Sequence, residues 1–221
     1  MSLIVKICGL KTAEALDAAL NAGADMVGFV FFPSSPRHIV PAQAAAFAAR
    51  ARGRAEIAAL TVDADDALFS EIVNAVRPDW LQLHGKETPA RVSALRDAFG
   101  ARVMKALPIA TRADLPAIET YAAVADRLLF DAHPPKDATR PGGLGMPFDW
   151  HLLDGVRPRV PYLLGGGLGP DNVAQALAIT NAPGVDVSSG VERAPGEKDP
   201  DKIRAFVKAA REAAQTPASV S

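Results

Sequence analysis

Along the chain, short apolar runs alternate with stretches whose apolar residues recur every three or four positions. The runs begin near Ile4, Met26, Ile57, Trp80, Val103, Leu128, Tyr162 and Val185. Most successive starts lie roughly twenty-odd residues apart, room for one strand and one returning helix. Between them, Leu68, Ile72, Val73 and Val76 keep helical spacing, as do Val92, Leu95 and Phe99, and Ile203, Phe206, Val207 and Ala210. Thr88-Pro89 opens one helix and Gly100 ends it, while Pro41 and Pro170 mark two other starts. After Thr111 the helical pattern is interrupted by Pro116, which would break a helix begun that early.

Eight such units without a second compositional block predict an α/β fold, a (β/α)₈ TIM barrel, with 1–221 as a single domain and 216–221 as a polar, frayed tail. An open doubly wound sheet shares the same local pattern and is the alternative. Alternation assigns directions along each strand. Ile4, Lys6 and Cys8 face the barrel interior, and Val5 and Ile7 face the helices. Gln82 and His84 point inward, as do Asp186 and Ser188. Closure sets the first strand beside the last, so Lys6 and Asp186 are expected to form a buried ion pair.

Charge and composition narrow the chemistry. The 221 residues carry a formal net charge of -1, with no basic surplus for nucleic acid. An anion must therefore be held by local geometry. Cys8 is the single cysteine, which excludes an internal disulfide and a cysteine-built zinc site. The histidines lack metal-ligand spacing, so neither a metal nor a cofactor is expected. No apolar stretch is long enough for a membrane span and no signal peptide opens the chain. A cytoplasmic enzyme acting on a small phosphorylated molecule, as a monomer or homodimer, is the expectation.

In such barrels the reacting residues sit at the C-terminal ends of strands and in the loops that follow. That rule selects Cys8, Arg37, Gln82, His84 and Asp131, the glycines Gly165, Gly166 and Gly167, and Ser188, Ser189 and Gly190. Gly166 and Gly167 let a backbone approach an anion, and Gly169-Pro170-Asp171 leads into a helix whose free N–H groups face it. Ser189 and Gly190 supply the opposite wall of this phosphate cradle. Tight turns also use glycines, so it is the pairing of the two loops at the usual phosphate position that carries the reading. Arg37 could clamp a carboxylate through two parallel hydrogen bonds, or be a solvated surface arginine. Cys8 could serve as a base or be a small buried hydrophobe. His84 could contact substrate or be structural. Asp131 faces Cys8 across the mouth and opens a Pro- and Gly-rich loop from 132 to 143, long enough to act as a lid.

The strings KICGL at 6–10, GFVF at 28–31, PSSPR at 33–37, LQLHG at 81–85 and LLFDA at 128–132 together resemble the phosphoribosylanthranilate isomerase family. PGGLG at 141–145, FDW at 148–150, GGGL at 165–168 and VDVSSGVE at 185–192 extend the resemblance over nearly the whole chain. It implies a cofactor-free (β/α)₈ enzyme of tryptophan biosynthesis that performs an Amadori rearrangement. It also implies Cys8 as general base, Asp131 as general acid, Arg37 on the anthranilate carboxylate, and the glycine and Ser-Ser-Gly loops on the phosphate. Lys11 and Leu144 stand where the family more usually has threonine. Another phosphate-binding barrel, such as the histidine-pathway isomerase, is the alternative enzyme, and Cys8 at the end of the first strand speaks against its usual aspartate pair. A barrel serving only as a scaffold would not need both Cys8 and Asp131.

Overall fold

The computed structural model describes residues 2–133 and 147–215. The expected lid beyond His133, Leu144 and the tail at 216–221 lie outside the described residues. Eight strands pair in parallel and in chain order: β1 (Ile4–Cys8), β2 (Met26–Val30), β3 (Glu56–Thr61), β4 (Trp80–Leu83), β5 (Arg102–Ile109), β6 (Arg127–Ala132), β7 (Tyr162–Leu164) and β8 (Gly184–Val187). β1 pairs with both β2 and β8, so the sheet closes on itself and the open-sheet alternative is excluded.

The helices are α1 (Ala13–Ala22), α2 (Pro41–Ala51), α3 (Asp66–Val76), α4 (Pro89–Phe99), α5 (Pro116–Ala122), α6 (Val173–Thr180) and α7 (Pro200–Gln215). Their ends follow local chemistry. The Thr88 hydroxyl accepts from Arg91 N–H, Pro89 takes the first turn, and Gly100 ends α4 in the left-handed region at φ 62°. Beyond Thr111 the chain makes a 3₁₀ turn, Arg112–Asp114, closed by a Thr111–Asp114 capping box. Pro116 then starts α5 instead of breaking it, because the first helical position needs no N–H donor. Pro170 lies in a turn, and α6 begins three residues later at Val173.

Strand alternation divides the core in two. Val5, Ile7, Leu81, Leu83, Val185 and Val187 pack outward against helix residues such as Leu16, Ile72, Ile203 and Phe206. Each such fully buried side chain contributes about 1.5–3 kcal/mol. Met26, Ala58, Trp80, Met104, Leu129 and Leu163 fill the foot of the barrel. The Arg102 and Arg127 guanidinium carbons lie 4.3 Å from the Trp80 ring centroid and close that end. Above this plug the interior turns polar, with Lys6 and Gln82 both fully buried.

A second buried pair secures the rim. Lys105 Nζ lies 2.9 Å from Glu87 Oε2 and donates to the carbonyls of Leu83 (3.3 Å) and Gly85 (2.7 Å), the residues either side of His84. Glu87 in turn accepts from the N–H groups of Asp63 and Gly85, both at 3.0 Å. Glu87→Ala strands a buried ammonium and two backbone donors. Urea unfolding should show a loss of about 3–5 kcal/mol. A loss below about 1 kcal/mol, as for an exposed pair, would contradict that role.

Candidate active site

Cys8 ends β1 and is 2% exposed. Directly below it, Lys6 Nζ lies 2.7 Å from Asp186 Oδ1, forming the ion pair that alternation and closure predict. The Lys6 charge also acts on the sulfur. Sulfur and ammonium crowd Gly28 on β2, where a Cβ would come within 2.8 Å of Cys8 Sγ and 3.3 Å of Lys6 Nζ. Burial pushes the Cys8 thiol above its ordinary value, and the Lys6 charge only partly offsets this. The thiolate that base chemistry needs is therefore disfavoured in the free protein.

Across the mouth, Gln82 and His84 on the β4 side meet Asp131 on β6. Gln82 Nε2 lies 3.3 Å from His84 Nδ1, and His84 Nε2 lies 3.0 Å from Asp131 Oδ2. Ala132 N–H donates to Asp131 Oδ1 at 2.8 Å. His84 and Asp131 retain some exposure, whereas Gln82 has none. Gln82 was expected as a substrate contact; its burial sets it beneath His84, reaching the mouth only through that ring.

Arg37 is not the solvated surface arginine that was one of its two readings. It is 4% exposed, and its Nε and Nη2 donate to the two carboxylate oxygens of Glu192 at 2.7 and 2.8 Å. That edge of the guanidinium is spent inside the protein, because a buried cation requires a partner. Glu192 begins an antiparallel hairpin, β9 (Glu192–Ala194) and β10 (Glu197–Lys198), which sequence reasoning missed. Its Pro195-Gly196 turn was the available signal. A Cβ on Gly196 would meet Pro36 O at 2.3 Å, so the turn sits directly against the loop that carries Arg37.

Lys198, also missed, bridges the hairpin to β8. Its Nζ donates to Glu192 Oε1 (2.8 Å), Ser188 O (2.8 Å) and Ser188 Oγ (3.2 Å), and Ser188 Oγ donates to Cys8 O (3.2 Å). Burial pushes its ammonium down to about 8, with Glu192 opposing that shift. Arg37 and Lys198 against one Glu192 carboxylate leave a net positive cluster near Cys8, although the whole chain is nearly neutral.

The two glycine loops interlock. Gly166 and Gly167 take φ of 78° and 66°, and a Cβ on Gly166 would lie 2.5 Å from Ala132 N. A Cβ on Gly190 would lie 1.9 Å from Leu168 O, so only glycine lets the loop after β8 approach the loop after β7. Ser189 and Gly190 belong to a short 3₁₀ turn, Ser189–Val191, and both stay partly accessible. Asn172 ties the facing loop, accepting from Gly169 N–H and donating to Gly167 O. Cys8, His84 and Asp131 thus stand around one mouth, with Gly166, Gly167, Ser189 and Gly190 on one side of it. Among the described residues no group of three or more His, Cys, Asp or Glu gathers as a metal site would, and no helix is long and apolar enough to cross a membrane.

Residues 5–209 match the family model of N-(5′-phosphoribosyl)anthranilate (PRA) isomerase. The curated N-(5′-phosphoribosyl)anthranilate isomerase of Afipia carboxidovorans is 64% identical over 220 residues, covering 100% of this chain and 94% of its own. That of Rhodopseudomonas palustris is 61% identical over 213 residues, 96% of this chain and all of its own. The Thermotoga maritima phosphoribosyl anthranilate isomerase structure superposes with a TM-score of 0.86 at 33% identity, covering 95% of this chain and 99% of that one. A phosphoribosyl anthranilate isomerase solved with reduced 1-(o-carboxyphenylamino)-1-deoxyribulose 5-phosphate gives 0.83 at 31% identity, with the same coverage. The chain belongs to the N-(5′-phosphoribosyl)anthranilate isomerase family.

Proposed function

We propose that Cys8 and Asp131 divide the proton transfers of this family's reaction, acting from opposite walls of the barrel mouth on a substrate held at both ends. The reaction converts N-(5-phosphoribosyl)anthranilate to 1-(2-carboxyphenylamino)-1-deoxyribulose 5-phosphate in tryptophan biosynthesis. The observation that carries the assignment is the placing of Cys8 at the end of β1 and Asp131 at the end of β6, with the interlocked Gly166–Gly190 loops between them in barrel order. A cytoplasmic location follows from that biosynthetic role.

The phosphate sits on the backbone N–H groups of Gly166, Gly167 and Gly190 and on the Ser189 hydroxyl, where donors need no counter-charge of their own. The anthranilate carboxylate lies toward Arg37, whose position is fixed by Glu192. Asp131, in its acid form, gives its proton to the furanose ring oxygen as the C1–O bond breaks and the nitrogen lone pair forms the Schiff base. Cys8 as thiolate then takes the proton from the second sugar carbon, and the electrons left behind neutralise the iminium to give an enolamine. That species tautomerises to the ketose. Fixing both ends of the substrate keeps the reacting carbon beside sulfur, and such positioning supplies a large share of the rate.

The substitutions Cys8→Ser and Asp131→Asn should each lower kcat by about 10²-fold or more, followed by the fluorescence loss of phosphoribosylanthranilate generated in situ. Near-native turnover in either variant would move the proton work elsewhere. Because burial raises the Cys8 thiol, the base form grows as pH rises. Since the reaction also needs Asp131 protonated, kcat/KM should fall both at acid pH, where the thiolate is lost, and at alkaline pH, where the acid is lost. A profile that kept rising with alkali would contradict this division of the proton work. Arg37→Ala should raise KM and also loosen the hairpin by leaving Glu192 without its two-fold contact. Arg37→Lys should not restore KM, since an ammonium cannot serve both carboxylates in one plane. Equal KM in the native and lysine proteins would sink the carboxylate assignment.

A further inference from the structure

Gln82 has a buried polar end that the reaction as written leaves idle. Its side chain is fully buried, its Nε2 lies 3.3 Å from His84 Nδ1, and its Oε1 is buried without a hydrogen-bond partner. A primary amide nitrogen only donates, so Nδ1 must accept and the single proton of a neutral imidazole must reside on Nε2. That nitrogen lies 3.0 Å from Asp131 Oδ2. His84 is thereby made a donor to Asp131, beside the Ala132 N–H that donates to Oδ1.

The geometry points to Gln82 as a positioning residue that fixes the His84 tautomer so that the Asp131 proton is left for the substrate. In the opposite tautomer, Nε2 would carry a lone pair and an acidic Asp131 would spend its O–H on the ring 3.0 Å away. With Nε2–H pointing at the carboxyl, that sink is closed. Both oxygens then accept from protein donors, and neither has a ring lone pair to which the acid's O–H could be spent. When the proton leaves for the ring oxygen, the carboxylate is already hydrogen-bonded by His84 and Ala132, without any reorganisation. The unpartnered Oε1 is the cost of holding the amide in the donating orientation. This reading rests on Asp131 as the general acid, and it extends that role to a residue that never touches substrate.

The other charges around the pair do not compete for the ring. From β5, Lys105 is held by Glu87 and the carbonyls flanking His84. From the loop after β3, Asp63 Oδ1 accepts from Lys86 N–H. Lys6 and Asp186, from β1 and β8, are paired with each other. Arg127, at the foot of β6, stacks on Trp80. Only Gln82 addresses Nδ1 among the described residues.

The test is the two-bond nitrogen–proton spectrum of the ¹⁵N-histidine-labelled full chain, with His84 assigned by His84→Asn. The native protein at neutral pH should show His84 with a bare Nδ1 and a protonated Nε2. Gln82→Met, similar in size but without an amide, should populate the Nδ1–H form and lower kcat by about tenfold or more while KM stays within about twofold, the pattern of a lost transition-state interaction. A native His84 protonated on Nδ1 would overturn the inference, whatever the variant does. So would a Gln82→Met protein with unchanged tautomer and unchanged kcat. Asp131→Asn separates this from the underlying reading: if it turns over normally, Asp131 is not the acid, even where the spectrum shows Nε2–H.

Discussion

The Lys6–Asp186 ion pair is the constraint on which the rest of the site depends. It joins β1 to β8 at the seam where the barrel closes, at a register of Lys6 opposite Asp186. A one-residue slip there would turn Cys8 toward the helices and bring Ile7 into the mouth. The pair also sets the electrostatics beneath the sulfur. Lys6 is fully buried, and its Asp186 and Cys8 partners hold its ammonium above the ordinary lysine value against desolvation. The charge that can support a thiolate is therefore permanent. It is weakened by Asp186 and outweighed by the burial of Cys8 itself. In the free protein burial therefore favours the thiol over the thiolate, and the form proposed as the base grows as pH rises.

Around that seam, glycines and a hairpin convert a generic barrel into a site. Gly9, at φ 78°, leaves room for Arg37, whose Cδ would lie 2.6 Å from a Cβ there. Gly190 leaves room for the Leu168 carbonyl. The hairpin after β8 carries Glu192 and Lys198 between these approaches, so Arg37, Ser188 and the Cys8 carbonyl belong to one hydrogen-bonded chain. Removing the buried Glu192 carboxylate would leave two cations without their shared counter-ion, which makes it a structural requirement of this corner of the barrel.

Much of this was legible in the sequence because two periods constrain it. Period-two alternation placed Lys6, Cys8, Gln82 and His84 inward, and closure then paired Lys6 with Asp186. The Thr88-Pro89 start and the Gly100 stop bound α4 in the structure as they do in the sequence. What escaped were contacts between residues far apart in the chain. Nothing in PSSPR announces that Arg37 will be buried against a carboxylate 155 positions away. Nor does alternation distinguish an inward residue that opens on the mouth from one, like Gln82, sealed under its neighbour. The Lys105–Glu87 pair was hidden for the same reason: each residue reads as an ordinary charge until β4 and β5 are laid side by side. Pro195-Gly196 was a local turn signal, but its hairpin gains meaning only from the Pro36 loop it touches.

The most direct test of the account is a titration of the Cys8 thiolate by its ultraviolet absorbance in the free enzyme, taken as the difference from Cys8→Ala. The account requires a midpoint above that of an ordinary thiol, about 8.5. It requires a further upward move in Lys6→Met, where the favourable charge is lost and Asp186 remains. A native midpoint well below the ordinary value would contradict it, because Cys8 would then be a standing thiolate and burial against the Lys6–Asp186 pair would not be what governs the base.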